Sequence, residues 1–506
     1  MVGFRIRFEA AFSIEKDHTE VSSVRPAGSP WLDRSRSSNL NLPRRPEPAP
    51  DAVVPRRRQP GQFRPGYWAL EVPVLLLLLS TLVFRQRDAQ QLSANPLDQA
   101  ALYRVACVGL ALLLGWTALI LDRRGANDHD GGQRLTTRPF RLFSFYVVVV
   151  FAGALTSVSL FLTAYRGVEL AALLIVYGGA WRTLGTAAAR RVENVLYWWI
   201  VASIASVWLG VFLFPHDAIV HIASPIPWQI VGVYPAISSN GAGGLGGLLA
   251  LWSLSRLWEE RDTGATASRL LVAMAALGFV TLIAAQYRTG YAATTLGLVV
   301  LLALRRRLAL AGLLFLVAIV VVIAGPIILA RAQPYVLRGQ TEQRASELSG
   351  RVHFWELAIP VWKESPLIGR GLLTASRFEV LEANGLGRIS TIHGTWIEAL
   401  VGTGIAGTAL LAGSVLVTWR RALAEALRVN GRLLPIVIMT IVTVQSVTGS
   451  DFAVFGLSTM LFMAVALSLK DAAPGAFRPH GVAVVAVPGA SSAPSAVRRS
   501  SGSDVF

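Results

Sequence analysis

Two arginines and one histidine have side chains suited to phosphate and hydroxyl chemistry: Arg288 in QYRTG, Arg351 in SGRVHFW and His393 in TIHGTW. The planar guanidinium of arginine binds phosphate oxygens through a fork of N–H donors, so two arginines can hold a pyrophosphate. A neutral histidine can take a proton from a sugar hydroxyl near neutral pH. Together, the three side chains suit transfer of a glycan from a lipid pyrophosphate to a hydroxyl.

Each of these side chains also has a structural interpretation, and the sequence leaves the choice open. An arginine at the end of a membrane helix often extends toward lipid headgroups, which would account for Arg288. Arg351 lies close in sequence to Glu347 and Glu356, with which it could form a local ion pair. A single histidine before a helix, such as His393, is more often structural than catalytic.

Three further polar residues are weaker candidates. Glu398 lies about one turn into the apolar run after His393, where it could orient the imidazole or interact with the helix dipole. A carboxylate inside a membrane span favours a functional role. Asn240 precedes the small residues GAGGLGG, which permit close helix packing or could line a groove for a lipid tail. Asp451, between two late apolar runs, is the weakest of the three.

The composition places the chain among membrane proteins. Of 506 residues, 53% are hydrophobic and 15% are charged, and the mean hydropathy is +0.52. A soluble protein would have about 25% charged residues. Long continuous apolar runs, such as residues 308–330, match the length of a membrane helix. The sequence therefore predicts an all-α polytopic membrane protein, and the continuous rather than alternating runs exclude a β-barrel.

About twelve membrane spans are predicted, with one large loop before the tenth. The seventh and eighth are separated only by Arg288, which indicates a tight helical hairpin or a re-entrant segment. The twelve predicted spans are 66–84, 103–121, 140–162, 167–181, 195–214, 237–257, 269–287, 289–304, 308–330, 394–418, 433–449 and 452–469.

Arginine placement predicts the orientation of these spans. The loops after the second, fourth, sixth, eighth and tenth spans hold most of the loop arginines, and this excess marks the cytoplasmic side. The short loops on the other side hold only Arg85, Arg87, Arg104, Arg166 and Arg288. Both termini are therefore predicted to be cytoplasmic, with the basic segment 331–393 external, since long loops are translocated regardless of charge.

The remaining segments and charges narrow the function class. The transmembrane domain is predicted at 66–470, between a basic disordered tail at 1–65 and a second disordered tail at 471–506. The net charge of +17 lies mainly in the tails and short loops, which argues against nucleic-acid binding. Cys107 has no partner for a disulfide, and His216 and His221 are five residues apart rather than four, so no metal site and no cofactor are predicted.

A short amphipathic helix is predicted inside the loop. Apolar residues recur there at three- and four-residue spacing, and two tryptophans among them are expected to lie at the membrane interface. Pro366 and the glycines that follow would end this helix. The recurring residues are Val352, Trp355, Ile359 and Trp362.

Four motifs give the chain a resemblance to a known family. They are SSNGAGG at 238–244, QYRTGYAATTLGL with Arg288, SGRVHFWELAIPVWKESPLIGRG at 349–371, and IHGTWIEALVGTGIAG at 392–407. In this order and spacing the chain resembles the O-antigen ligase family, which includes O-antigen polymerases and protein O-oligosaccharyltransferases. The resemblance covers about 236–411 and the plan of spans around one large external loop.

The resemblance implies a fold similar to lipid-dependent multispanning glycosyltransferases in the bacterial plasma membrane. It implies an undecaprenyl-pyrophosphate glycan as donor and a cell-envelope glycan, lipid or protein as acceptor. By resemblance, Arg288 and Arg351 would bind the donor pyrophosphate and His393 would assist the acceptor hydroxyl. One position departs from the family pattern, because the family usually has Asn after this histidine and this chain has Gly394.

A secondary transporter or lipid flippase is the alternative function. Such a protein would favour internal repeats and broken helices near the membrane midplane. The sequence contains no convincing repeat, and the candidate residues are predicted at the external interface. These observations favour a membrane glycosyltransferase.

Overall fold

The fold is built from apolar helices, seen here in a computed structural model. The structure describes residues 68–82, 98–125, 137–184, 186–222, 227–259, 265–305, 312, 316, 351–387, 389, 391–428, 431–449 and 452–469. The predicted tails at 1–65 and 471–506, the ninth predicted span at 308–330 and Asp451 lie outside these residues.

Twelve helices of more than ten residues occur within the described ranges, together with a one-turn helix at Pro215–Ala218, a 3-10 turn at Ala154–Thr156 and a π-helical segment at Ala375–Glu382. A two-stranded antiparallel sheet pairs β1 (Ile219–His221) with β2 (Trp228–Ile230). The helices are α1 (Trp68–Ser80), α2 (Gln99–Gly125), α3 (Arg138–Gly153), α4 (Leu160–Leu184), α5 (Thr186–Leu213), α6 (Ser239–Glu259), α7 (Ala265–Ala285), α8 (Arg288–Leu304), α9 (Arg351–Glu364), α10 (Thr395–Ala426), α11 (Leu434–Ser446) and α12 (Leu457–Ser468).

The all-α membrane class is confirmed. Six of the described helices are long and apolar enough to cross a membrane, and shorter apolar helices accompany them. Helices occur at eleven of the twelve predicted spans, and the remaining one is 308–330. The hairpin around Arg288 is a tight turn, in which α7 ends at Ala285 and α8 begins at Arg288.

Large apolar side chains are divided between a packed interior and an outward face. Trp252 and Phe143 are fully buried, whereas Phe145 and Leu416 are each 61% exposed on the helix surfaces. Exposed aliphatic and aromatic groups of this kind are costly in water but are solvated by lipid. The outward face of these helices is therefore suited to the hydrocarbon core of a membrane.

Glycines let α6 and α7 approach closely. A Cβ placed on Gly246 would lie 2.7 Å from the carbonyl oxygen of Gly278, and a Cβ on Gly278 would lie 2.6 Å from the oxygen of Gly246. Real side chains do not fit at such distances. Part of the GAGGLGG motif therefore serves helix packing, which is one of its two predicted roles.

Ion pairs join arginines to glutamates that the sequence assigns to the same side of the membrane. On the predicted cytoplasmic side, Arg432 pairs with Glu193 at 2.5 Å. On the predicted external side, Arg104 and Arg166 share the carboxylate of Glu169. This segregation agrees with the predicted order of spans, while the choice of which side is cytoplasmic stays a prediction.

The loop before α10 does not lie wholly outside the bundle. The helix predicted around Trp355 is present as α9, but the chain after it inserts against an interruption of α10 at Gly404, whose φ is +63°. Gly404 is ten residues past Gly394, which corresponds to about 15 Å along a helix. The loop and the interruption exchange backbone hydrogen bonds of 2.8–3.1 Å: Arg370 N to Val401 O, Gly371 N to Gly402 O, Ile405 N to Pro366 O and Ala406 N to Leu367 O.

This insertion differs from the continuous span predicted at 394–418. A positive φ favours glycine, and the interruption leaves backbone groups that need partners inside the bundle. The loop segment supplies those partners, and Thr156 also donates a 2.7 Å hydrogen bond to Gly369 O. The result is an attachment of the loop to α10 and to the 3-10 turn that follows α3.

Candidate active site

A cavity of about 570 Å³ is lined by three of the residues singled out in the sequence, Asn240, Arg351 and His393. Its volume is typical of pockets that hold small-molecule ligands. The wall includes apolar side chains, among them Trp199, Leu248 and Leu461. It also includes polar and charged side chains, among them Arg104, Asn240, Tyr287, Arg351, His393 and Gln445. A ligand with an apolar portion and an anionic portion matches this mixed lining.

Arg351 reaches the cavity from the first residue of α9. The helix is held in place because Ala358 is fully buried in a cluster with Val380, Leu381 and Val401. Burial lowers the pKa of the Arg351 guanidinium, and nearby Tyr287 has a smaller effect in the opposite direction. An arginine still keeps its charge at neutral pH after such a shift. Arg351 is thus a fixed cation on the cavity wall.

His393 lines the same cavity from the turn that leads into α10. Its backbone has a φ of +51°, an unusual conformation for a residue with a side chain. The turn is held on both sides, because Trp355 Nε1–H donates to Ile392 O at 3.2 Å and Thr395 Oγ1–H donates to Gly449 O at 2.8 Å. These contacts are a local reason for the strained backbone at His393.

The environment of His393 favours a neutral imidazole. Burial lowers its pKa below 6.5, and the positive charge of Arg351 lowers it further. The imidazole Nδ1 lies 3.2 Å from Thr391 Oγ1. With Nδ1–H donating to that hydroxyl, Nε2 is the nitrogen that can accept a proton. The site can therefore place a neutral base beside a permanent cation.

Tyr287 lines the cavity and Arg288 does not. The two residues follow Gln286, whose φ is +51° in the turn between α7 and α8. Arg288 is the first residue of α8 and is partly buried. The next residue, Thr289, accepts a 3.1 Å hydrogen bond from Thr448, which itself lines the cavity. Arg288 itself does not line the cavity, but the residue before it in the sequence, Tyr287, does.

Glu398 lies in the protein interior rather than on the cavity wall. Its side chain is fully buried, and one carboxylate oxygen accepts hydrogen bonds from Leu373 N at 3.0 Å and from Ser376 Oγ at 2.9 Å. These bonds tie the first turn of α10 to the loop that inserts into the bundle. The contacts described for its carboxylate are therefore with this loop, and none is with His393.

Asn240 is exposed at the start of α6 and lines the cavity with Gly241 and Gly244. Other glycines of the same motif face neighbouring helices, since a Cβ on Gly243 would lie 2.5 Å from the Cβ of Tyr287. The two predicted roles of the motif therefore occur together. One side of the helix packs, and the other borders open space.

Tyr287, Gln445 and Arg104 are among the polar residues of the cavity wall that sequence reasoning did not select. Tyr287 is next to Arg288 in the same motif, so its position offered a signal. Gln445 is a polar residue inside an apolar helix, a feature that often marks function. Arg104 was counted only as an external cation, and nothing in its local sequence distinguishes it from a lipid-facing arginine.

Comparison with known families finds one match. Residues 273–412 match the family model described as O-Antigen ligase. This segment of the chain is similar to the O-antigen ligase family. The matched segment runs from within α7 into α10 and includes Arg288, Arg351, His393 and Glu398, while Asn240 and Arg104 precede it. No curated protein matches the chain.

The matched segment supports a coarse function as well as a class. The apolar helices indicate a multi-pass membrane protein, and the match supports a glycan-transfer function of the ligase or polymerase type. Within the described residues, no three His, Cys, Asp or Glu side chains are grouped so that they could hold a metal ion.

Proposed function

We propose that this protein transfers a glycan from undecaprenyl pyrophosphate to an acceptor hydroxyl at the outer face of the plasma membrane. The observation that carries the proposal is that Arg351 and His393 line one cavity inside the segment that matches the O-antigen ligase family. A cation and a neutral base are the two groups that this reaction requires. The apolar side chains of the wall would accommodate the lipid, in a groove that Asn240 also lines.

The reaction would be a direct displacement at the anomeric carbon. The acceptor oxygen attacks that carbon while its proton passes to His393 Nε2. The bond from the anomeric carbon to the pyrophosphate oxygen breaks, and the electron pair leaves with the pyrophosphate. The guanidinium of Arg351 stabilises the negative charge that develops there. The imidazolium then releases the proton, so the step needs no further reactant.

Arg288 and Glu398 have supporting roles in this proposal. Arg288 would bind the pyrophosphate from beyond the Tyr287 edge of the cavity, adding a second guanidinium fork. Glu398 would act as a positioning residue, because its hydrogen bonds to Leu373 and Ser376 join α10 to the inserted loop. The turn that carries His393 begins α10, so a fixed helix start keeps the imidazole in place.

The alternative of a transporter or flippase finds one possible point of support, the interruption of α10 at Gly404. In transporters, broken helices provide free backbone groups for a substrate or an ion. Here the backbone groups at the interruption are hydrogen-bonded to the inserted loop, as at Ile405 N to Pro366 O. The interruption therefore serves as an attachment point, and the enzyme proposal is preferred.

The test of this function uses purified protein, a lipid-pyrophosphate glycan as donor and a cell-envelope fraction as acceptor. His393→Ala should lower turnover by about 10²–10⁴-fold, the usual contribution of a general base, while donor binding is largely kept. Arg351→Lys should also lose most of the activity, since it keeps the charge but loses the planar fork.

Matched controls make the outcome decisive. His353→Ala changes an exposed histidine on α9, and Arg428→Lys changes a half-exposed arginine on the predicted cytoplasmic side. Both control proteins should retain normal turnover. Wild-type turnover in His393→Ala would remove the proposed base, and a wild-type protein that moves the lipid across vesicles without joining it to an acceptor would refute the enzyme.

A further inference from the structure

A second cation lines the cavity, contributed by a helix that lies outside the matched segment. Arg104 is in the second turn of α2, and its side chain is 29% exposed. It lines the same cavity as Arg351 and His393. Neither the family match nor the reaction proposed above assigns it a role.

The position of Arg104 is set by a fully buried carboxylate. Arg104 Nε lies 2.5 Å from Glu169 Oε1, and Arg166 Nη1 lies 2.8 Å from Glu169 Oε2. Glu169 has no exposed surface, so its charge must be compensated within the protein. Two guanidinium groups on one carboxylate leave the cluster with a net positive charge.

The terminal nitrogens of Arg104 are available for a ligand. Its Nε donates to Glu169, and among the described residues no hydrogen bond uses its two Nη groups. A guanidinium held through Nε presents its Nη donors in a fixed plane, an arrangement suited to a carboxylate or phosphate. Arg166 binds the same carboxylate but does not line the cavity.

We propose that Arg104 forms a second anion-binding subsite in the cavity, for a carboxylate or phosphate on the saccharide part of the donor or the acceptor. In this proposal the subsite takes an anion other than the pyrophosphate, which is assigned to Arg351. The inference rests on the proposed glycan transfer, and it restricts the substrates to saccharides that carry a negative charge. Such a group would select the substrate and fix its orientation relative to His393.

The test compares Arg104→Gln with Arg166→Gln in full-length protein in zwitterionic nanodiscs. Each variant removes one of the two arginine partners of Glu169 and leaves the other in place. The probes are the lipid-linked glycan and the envelope acceptor from the producing cells, each radiolabelled. Equilibrium binding of both probes is measured first, and KM and kcat for transfer second.

Arg104→Gln should weaken binding, or raise KM, for one of the two probes by about tenfold or more, the effect of losing a charged hydrogen bond. Arg166→Gln should stay within about twofold of wild type. The source of the anion is then found by neutralising one probe at a time. Reducing the carboxylates of the donor glycan, or removing the phosphates of the acceptor, should abolish the difference between Arg104→Gln and wild type.

Three results would overturn the subsite. The first is that Arg104→Gln binds and turns over both native probes like wild type. The second is that both variants are impaired equally. The third is that the defect of Arg104→Gln persists with both neutralised probes. Equal impairment of both variants would make Arg104 a structural ion-pair partner only, and a persistent defect would mean that Arg104 does not bind an anion on the saccharide. Absence of transfer in wild type would instead refute the proposed function, while the binding measurements would still decide the subsite.

Discussion

The indole of Trp355 connects the two halves of the candidate site. Its Nε1–H donates to the carbonyl oxygen of Ile392 at 3.2 Å, so the helix that begins at Arg351 is joined to the residue before His393. A Cβ on Gly394 would lie 3.0 Å from the same nitrogen, so the indole also fills the space beside the turn. This side chain therefore couples the position of the cation to that of the base.

Replacing Trp355 by Phe should lower turnover more than it lowers stability. The loss of one hydrogen bond costs about 1 kcal/mol of folding free energy, whereas a small displacement of His393 from Arg351 affects the reaction directly. Trp362→Phe is the matched control, because its Nε1–H donates to Pro366 O at 3.3 Å outside the cavity. Turnover and thermal unfolding are measured for both. Equal effects on turnover in the two variants would contradict the proposed coupling.

Activity should fall on the acid side at a pH below the ordinary range of histidine. The pKa of His393 is lowered by burial and then by the charge of Arg351, so the base stays neutral until the pH falls below 6.5. In Arg351→Gln the second cause is removed, and the acid limb of the residual activity should move to higher pH. The measurement is kcat/KM against pH for both proteins. An acid limb at the same pH in both proteins would mean that the group titrating in the pH profile is not His393.

The same shift has a consequence for stability. Because the folded pKa of His393 is below its unfolded value, the unfolded chain binds more protons between the two values. The contribution of this group to stability is complete above pH 6.5 and decreases as the pH falls through the folded pKa. In His393→Gln the acid-side loss of stability should be smaller than in wild type, as measured by thermal unfolding between neutral and mildly acidic pH.

Substitutions at Glu398 should distinguish a hydrogen-bond acceptor from a charged group. Glu398→Gln keeps an oxygen that can accept from Leu373 N and Ser376 Oγ, so stability and turnover should change little. Glu398→Ala leaves both donors buried without an acceptor, at a cost of about 1–3 kcal/mol. Thermal unfolding and turnover are compared in the two variants. A large loss of turnover in Glu398→Gln at unchanged stability would indicate that the carboxylate itself acts on His393.

Cysteine labelling should establish which side of the membrane faces outward. Ala383 is exposed in the loop before α10, and Leu427 is 65% exposed after α10. In a Cys107→Ala background, Ala383→Cys should react with an impermeant thiol reagent in whole cells. Leu427→Cys should react only after permeabilisation. The reverse pattern would invert the predicted orientation.

Sequence alone determined the membrane class, the position of most spans and three residues of the candidate site. Continuous apolar runs are long enough to cross a bilayer, and few other structures satisfy their backbone there. Arg351 and His393 were selected because few side chains suit phosphate and proton chemistry, and Asn240 because the small residues after it could line a lipid groove. All three line the cavity.

Tertiary structure alone decided which residues share that cavity. Arg104 enters it because α2 packs beside α4, where the buried Glu169 fixes its guanidinium, and this contact spans 65 residues of sequence. Glu398 is placed away from the cavity by hydrogen bonds to a loop that inserts at Gly404. Hydrophobic periodicity specifies which segments become helices. The neighbours of a polar side chain depend on how the helices pack, and that packing is set by contacts between residues distant in sequence.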